Sequence, residues 1–188
     1  MTSTKSTLAP AETVTLPASL KRIVLTGFMG AGKTTVGRLL AESLSWDFLD
    51  LDAHLEARAN ATIPELFALH GEPHFRRLES SALANALSRQ STVLALGGGT
   101  PEQLTNRLLL EQTPATTVIF LDAPFPLLFD RCMLQSFASP EHIRPVLASP
   151  AEAEARSHRL ARHTIATADL TPAETTQAIL QLLAHNGR

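Results

Sequence analysis

Gly27-Phe28-Met29-Gly30-Ala31-Gly32-Lys33-Thr34 reads G-F-M-G-A-G-K-T, the complete G-x-x-x-x-G-K-[ST] spacing of a phosphate-binding loop. Its flanks supply the context this pattern needs. Ile23-Val24-Leu25-Thr26 before it is apolar, as a parallel strand covered on both faces should be. Val36, Leu40 and Leu44 after it recur every fourth residue, so a helix starts at about Gly32 or Lys33. Gly27, Gly30 and Gly32 allow a tight turn whose N–H groups face nucleotide phosphates, and the helix N-terminus adds partial positive charge. Lys33 then reaches the β- and γ-phosphates, and the Thr34 hydroxyl can ligate Mg²⁺.

On either side of the loop, short β-branched runs alternate with helical patterns, the signature of βα units around a parallel sheet. Trp46 to Leu49 form a second strand running into Asp50-Leu51-Asp52. Short helices follow at about 52–59 and 63–70, the second opened by a Thr62-Ile63-Pro64-Glu65 capping box. A longer helix spans about 72–89, then a strand covers Thr92 to Leu96 and runs into Gly97-Gly98-Gly99. Thr100-Pro101-Glu102-Gln103 reads as another capped helix start. Thr117 to Leu121 is a fourth strand, and a helix covers Pro124 to about Gln135. Residues 136–150, with three prolines, read as a long loop of the kind that forms lids. A polar helix at about 151–163, a strand from Thr164 to Thr167 and a helix capped at Thr171 complete the chain.

The sequence has 188 residues, enough for one domain with a single core. A net charge of −2 gives no global positive field for nucleic acid or anionic lipid. No apolar run is long enough for a membrane span. The lone Cys132 rules out an intrachain disulfide and a cysteine metal site, and suits a reducing cytoplasm. Residues 1–19, rich in Ser, Thr, Ala and Pro, are expected to be a disordered tail before one domain over 20–188.

Further groups could carry chemistry. Asp50 and Asp52 lie at the C-terminal end of a strand, the edge where parallel sheets bind ligands. If the strand persists, alternation puts both on one side, one to hold Mg²⁺ through water and one to approach a substrate hydroxyl; otherwise Asp52 caps the next helix. Arg76 and Glu79 share a helix face, either as an oriented guanidinium for a carboxylate or as a solvated pair. Three glycines after a strand allow close approach of backbone to a ligand. Arg131 and Arg144 bracket the lid, where an arginine can neutralise charge on a transferred phosphoryl group. The histidines have no metal-ligand spacing.

Together GFMGAGKTTVGRLLA at 27–41, FLDLD at 48–52, IPELF at 63–67, GEPHFRRLE at 71–79, GGG at 97–99 and RPVL at 144–147 resemble the shikimate kinase family, from about Arg22 to Leu183. The resemblance implies a three-layer α/β/α P-loop kinase fold of the nucleoside-monophosphate-kinase type. Its five-stranded parallel sheet carries a substrate-binding helical region at about 51–80 and a lid at about 131–150. It implies Mg²⁺-dependent transfer of the γ-phosphate of ATP to the 3-hydroxyl of shikimate in aromatic amino-acid synthesis. The sequence presents no obvious dimerisation stripe, so a monomer is expected by default, and a cytoplasmic one by its cysteine usage. By the same resemblance Gly30, Ala31, Gly32, Lys33, Thr34, Thr35, Arg131 and Arg144 bind ATP, and Thr34 and Asp50 serve the metal. Lys33, Asp52 and Arg144 are catalytic, with Asp52 the base. Asp52, Arg76 (supported by Glu79), Gly97, Gly98 and Gly99 bind shikimate, and residues 168–172 form the adenine loop. The family's Arg-x-Pro-Leu-Tyr after the lid is missing. Counting back from Thr167 puts Ala153 at its arginine, so Arg156, with Arg159 in reserve, is expected to supply the second carboxylate-binding guanidinium. Two other functions fit parts of the pattern: a same-fold kinase of another polyhydroxylated acid such as gluconate, and a non-catalytic nucleotide-binding homologue.

Overall fold

The computed structural model describes residues 16–134 and 158–185. Five strands form one parallel sheet: β1 (Arg22–Thr26), β2 (Asp47–Asp50), β3 (Thr92–Ala95), β4 (Thr116–Asp122) and β5 (His163–Ala166). Their spatial order is β2-β3-β1-β4-β5. β1 lies at the centre, with Leu25 beside Ala95 of β3 and Ile119 of β4. Every residue of β1 and of β3 is buried, which explains why those strands read as unbroken apolar runs.

The period-2 alternation of the strands splits the core into two layers. Ile23, Leu25, Val93, Ile119 and Leu121 face α1 (Lys33–Leu44) and the last helix, α6 (Pro172–His185). Val24, Leu49, Leu94 and Val118 face α2 (Leu51–Ala59), α3 (Ile63–Leu87) and α4 (Leu104–Gln112). The result is the expected three-layer α/β/α arrangement. α5 (Phe125–Leu134) follows β4 and adds Leu128 to the first layer.

At the opposite end of the sheet from the strand C-termini, Arg22 is a structural tie. Its guanidinium donates to Thr116 Oγ1 at 2.9 Å and to the carbonyls of Arg89 and Pro114 at 2.6 and 2.7 Å. Both expected Thr caps on α3 and α6 form: Glu65 accepts from Thr62 N, and Glu174 from Thr171 N, at 2.7 and 2.8 Å. The Thr62 N–H and then its hydroxyl hold the Glu65 carboxyl below its usual range, and the Thr171 hydroxyl and then its N–H do the same for Glu174. The carboxylate's share of each cap is therefore fully present above that range and is lost as the pH falls below it, through the lowered folded value.

Four expectations change. Leu16 and Leu20 pack against the core, so the stretch read as tail is structured from residue 16, and residues 1–15 lie outside the described residues. α3 joins the two helices expected at 63–70 and 72–89, with a kink at Gly71 (φ 72°). β2 ends at Asp50 and does not continue through Asp52. Asp50 Oδ1 accepts from Ala53 N at 3.3 Å and starts α2 there, so Asp50 is the cap and Asp52 sits in the first helical turn. Thr100 does not cap α4: Thr100–Glu102 form a 3₁₀ turn, and α4 begins at Leu104 after Gln103. Of the lid expected at about 131–150, residues 131–134 belong to α5 and the rest lies outside the described residues; of the helix expected at about 151–163, residues 158–160 are helical, 161–163 are not, and the part before 158 lies outside the described residues.

Candidate active site

The site lies at the C-terminal ends of β1, β2 and β3, where three segments meet. The first is the loop between β1 and α1. Gly27, Gly30 and Gly32 all have positive φ there, and Ala31 is buried, so the turn is fixed from both sides. The Lys33 ammonium donates to the carbonyls of Gly27 and Phe28 at 2.8 Å each, folding back along the loop. Thr34 and Thr35 are exposed in the first turn of α1.

The second segment is the β2–α2 junction. Thr34 Oγ1 donates to Asp50 Oδ2 at 2.7 Å, which brings two hard oxygen donors together at the mouth of the loop. That pair fits Mg²⁺, which keeps several waters and phosphate oxygens and needs only one or two protein oxygens. Among the described residues no cluster of three or more His, Cys, Asp or Glu side chains is built to hold a metal without such help. Asp52, one helical position past Leu51, is turned inward. Burial first, and then the Asp50 and Glu79 carboxylates, push its pKa from 3.8 up to about 6, against the pull of Lys33.

The third segment is Gly97-Gly98-Gly99. A Cβ on Gly97 would fall on the Asp52 carboxylate, 2.9 Å from Oδ2. A Cβ on Gly99 would stand 3.0 and 3.2 Å from the terminal nitrogens of Arg76, and one on Gly98 would reach within 3.8 Å of Met29 N. The triple glycine is thus the hub: a side chain at 97 would displace the Asp52 carboxylate, one at 99 would press Arg76 back by a few tenths of an ångström, and the middle glycine faces the phosphate loop.

Arg76 is held from two sides. Its Nη1 donates to Glu79 Oε2 at 3.0 Å, and its Nε and Nη2 donate to Glu72 Oε1 at 3.2 and 3.1 Å. The Glu79 side chain is 2% exposed, which removes the reading of a solvated helix pair. Its other oxygen accepts from Thr100 Oγ1 at 2.8 Å, and the Thr100 carbonyl accepts from Asn106 Nδ2 at 3.0 Å. Thr100 and Asn106 are fully buried, and neither role is visible in sequence spacing. A threonine next to the glycine run was the available signal, and it reads equally well as a cap.

The remaining expected residues are more scattered. Arg131 lies in the last turn of α5, and Arg159 is exposed in the 158–160 turn. Residues 168–169 form a turn after β5, tied to β4 by Thr167 N donating to the Asp122 carbonyl at 2.7 Å. Arg144 and Arg156 lie outside the described residues. The His70 and His74 rings on α3 meet at a tilt of 42°, 4.7 Å between centroids.

A phosphate loop feeding a parallel sheet of this order, with an acid and a paired arginine facing it across a glycine hub, defines a P-loop kinase of a small molecule. The shikimate kinase family profile matches residues 29–184. The chain is 35% identical to a shikimate kinase of Flavobacterium johnsoniae, over 88% of this chain and 100% of that one. It is 44% identical to a shikimate kinase of Symbiobacterium thermophilum, over 68% of this chain and 70% of that one. The solved shikimate kinase of Acinetobacter baumannii in complex with shikimate superposes with a TM-score of 0.81 at 36% identity, covering 89% of this chain and 94% of that one. The chain belongs to the shikimate kinase family.

Proposed function

We propose that this protein phosphorylates shikimate, moving the γ-phosphoryl group of ATP to the 3-hydroxyl and releasing ADP and shikimate 3-phosphate. The glycine hub carries the reading, because a perturbed carboxylate lies against its first glycine and a held guanidinium against its third, with the phosphate loop facing the middle one. A ring acid with neighbouring hydroxyls needs that pair: the guanidinium for its carboxylate, the carboxylate for its hydroxyl.

In this mechanism Arg76 orients the substrate by its carboxylate and Asp52 takes the proton of the 3-hydroxyl as its oxygen attacks the γ-phosphorus. The bond from the γ-phosphorus to the bridging β–γ oxygen breaks, and ADP leaves. Lys33 moves from its loop carbonyls to the β- and γ-phosphates. Mg²⁺, taken by Thr34 and through water by Asp50, would neutralise charge on the phosphate oxygens. Arg131 and Arg144 are assigned to the nucleotide and Arg156 to the shikimate carboxylate, with Arg144 completing charge neutralisation at the transferred group. The reading places the enzyme in the cytoplasm, where ATP is available, as a monomer over one domain from about residue 20.

The test is an ADP-release assay run in parallel with shikimate, quinate and gluconate. Turnover is expected with shikimate, and turnover with gluconate alone would overturn the assignment. ATP binding without turnover on any acid would support a non-catalytic homologue instead. Gly97→Ala supplies a second check, since its Cβ displaces the Asp52 carboxylate. Its kcat should fall by about 10²-fold, the cost of misplacing a reacting group by about 1 Å, with ATP affinity retained.

A further inference from the structure

The two carboxylates that hold Arg76 are not equivalent. Glu79 is buried, meets Nη1 at 3.0 Å and is itself locked by Thr100. Glu72 has a side chain 55% exposed and offers a single oxygen, Oε1, to both Nε and Nη2 at 3.2 and 3.1 Å. Both carboxylates lie slightly beyond the roughly 2.7–2.9 Å of strong charge-assisted bonds, so exposure and the single shared oxygen, not distance, set Glu72 apart. The Nε/Nη2 edge is one on which a carboxylate can seat both oxygens, one per N–H. Glu72 covers that edge with only one of its two oxygens, shared between the two N–H groups.

Space for Glu72 to leave is also present. A groove of about 560 Å³ runs beside the pair, lined by Glu72, Arg76, Arg77, Ser80, Gln103 and Thr105. Its wall offers a guanidinium, hydroxyls and an amide to a displaced carboxylate. Glu72 directly follows the kink at Gly71 and opens the second half of α3, where a carboxylate is favoured by the helix N-terminus whether or not it touches Arg76. Leaving Arg76 therefore does not strand its charge.

We propose that Glu72 is an internal competitor: it occupies the Nε/Nη2 edge of Arg76 in the empty enzyme, and the substrate carboxylate must displace it. Glu79 is the fixed anchor and Glu72 the exchangeable one. This rests on the assignment of Arg76 to the shikimate carboxylate and deepens it, because Glu72 then sets the affinity for the acid. The opposite role, Glu72 as a brace that keeps Arg76 ready, gives the opposite sign.

Glu72→Gln keeps the size and removes the competing charge. Both the KM for shikimate and its Kd, titrated without ATP, should fall about two- to fivefold, the equivalent of an exposed ion pair released. The effect should be confined to the acid, with the KM for ATP unmoved. Shikimate methyl ester, as a neutral ligand, should show no gain in affinity. Glu72→Asp retains the charge but shortens the reach by one methylene, so it too should lower the shikimate Kd. A rise or no change in shikimate Kd in Glu72→Gln overturns the competitor role while leaving the kinase assignment intact. Wild-type behaviour of Glu72→Asp also overturns it, since contact at the edge would then not matter. A wild-type protein that does not bind shikimate overturns both.

Discussion

Asp52→Asn is expected to lower kcat by at least about 10²-fold while raising the melting temperature of the ligand-free protein. The first effect follows from losing the group that accepts the hydroxyl proton, at the low end of what such groups contribute. The second follows from the carboxyl pKa, which the folded protein holds at about 6 against 3.8, chiefly by burial and then by Asp50 and Glu79. Below about pH 3.8 the group is protonated in both folded and unfolded chains, and it carries no penalty. Between the two values the folded protein keeps a proton that the unfolded chain has released. Above about 6 the carboxylate is charged in both states, and the fold bears the full cost of about 3 kcal/mol. Asparagine removes that charge, so the variant should melt roughly 5 °C or more above wild type at neutral pH, for a chain of this size. The gap should close as the pH falls from about 7 to about 4. Scanning calorimetry in EDTA, without nucleotide, measures it. A kcat loss of only two- or threefold would make Asp52 a positioning group. A melting gap that stays constant with pH would mean that Asp52 is not held as a strained charge.

What the sequence revealed, and what it hid, follows from the range of the forces involved. β1 and β3 were legible because a strand buried on both faces has to be apolar along its length. The phosphate loop was legible because its function needs fixed residue types at fixed spacing. The caps at Thr62 and Thr171 were legible because Thr and Glu three residues apart complete the box locally. Thr100 carries a similar local signature and does something else: its hydroxyl goes to Glu79, 21 positions earlier, because that buried carboxylate has an oxygen to satisfy. Asp50 and Asp52 were recognised as site residues, but their geometry was not. Strand alternation and helix capping compete for Asp50, and the cap wins one residue before the alternation would have applied. The depth of the Arg76–Glu79 pair was also hidden, since i to i+3 spacing is the same on an exposed face and on a buried one. Local codes thus gave the elements and the list of chemical groups. Burial, which depends on distant partners, decided which of those groups are held rigidly.

The same reasoning makes Glu79→Ala the most damaging change outside the reacting groups. It removes the acceptor of Arg76 Nη1 and of Thr100 Oγ1 together, in a region where Glu79, Thr100 and Asn106 are all essentially solvent-free. Breaking a buried charged pair costs about 3–5 kcal/mol, which for a chain of this length lowers the melting temperature by about 10 °C. Glu72 cannot compensate, since it holds the other edge of the guanidinium from an exposed position. Arg76 is then tethered on one side only, and the KM for shikimate should rise about tenfold or more, while the KM for ATP stays within about twofold. Glu79→Gln separates the two contributions: its amide can still accept from Thr100 through oxygen but cannot offer a charge to Arg76. It should recover part of the lost stability and little of the lost shikimate affinity. Paired melting curves and two-substrate kinetics on the three proteins measure both quantities. A parallel rise in both KM values would mean that Glu79 supports the fold as a whole and does not orient Arg76.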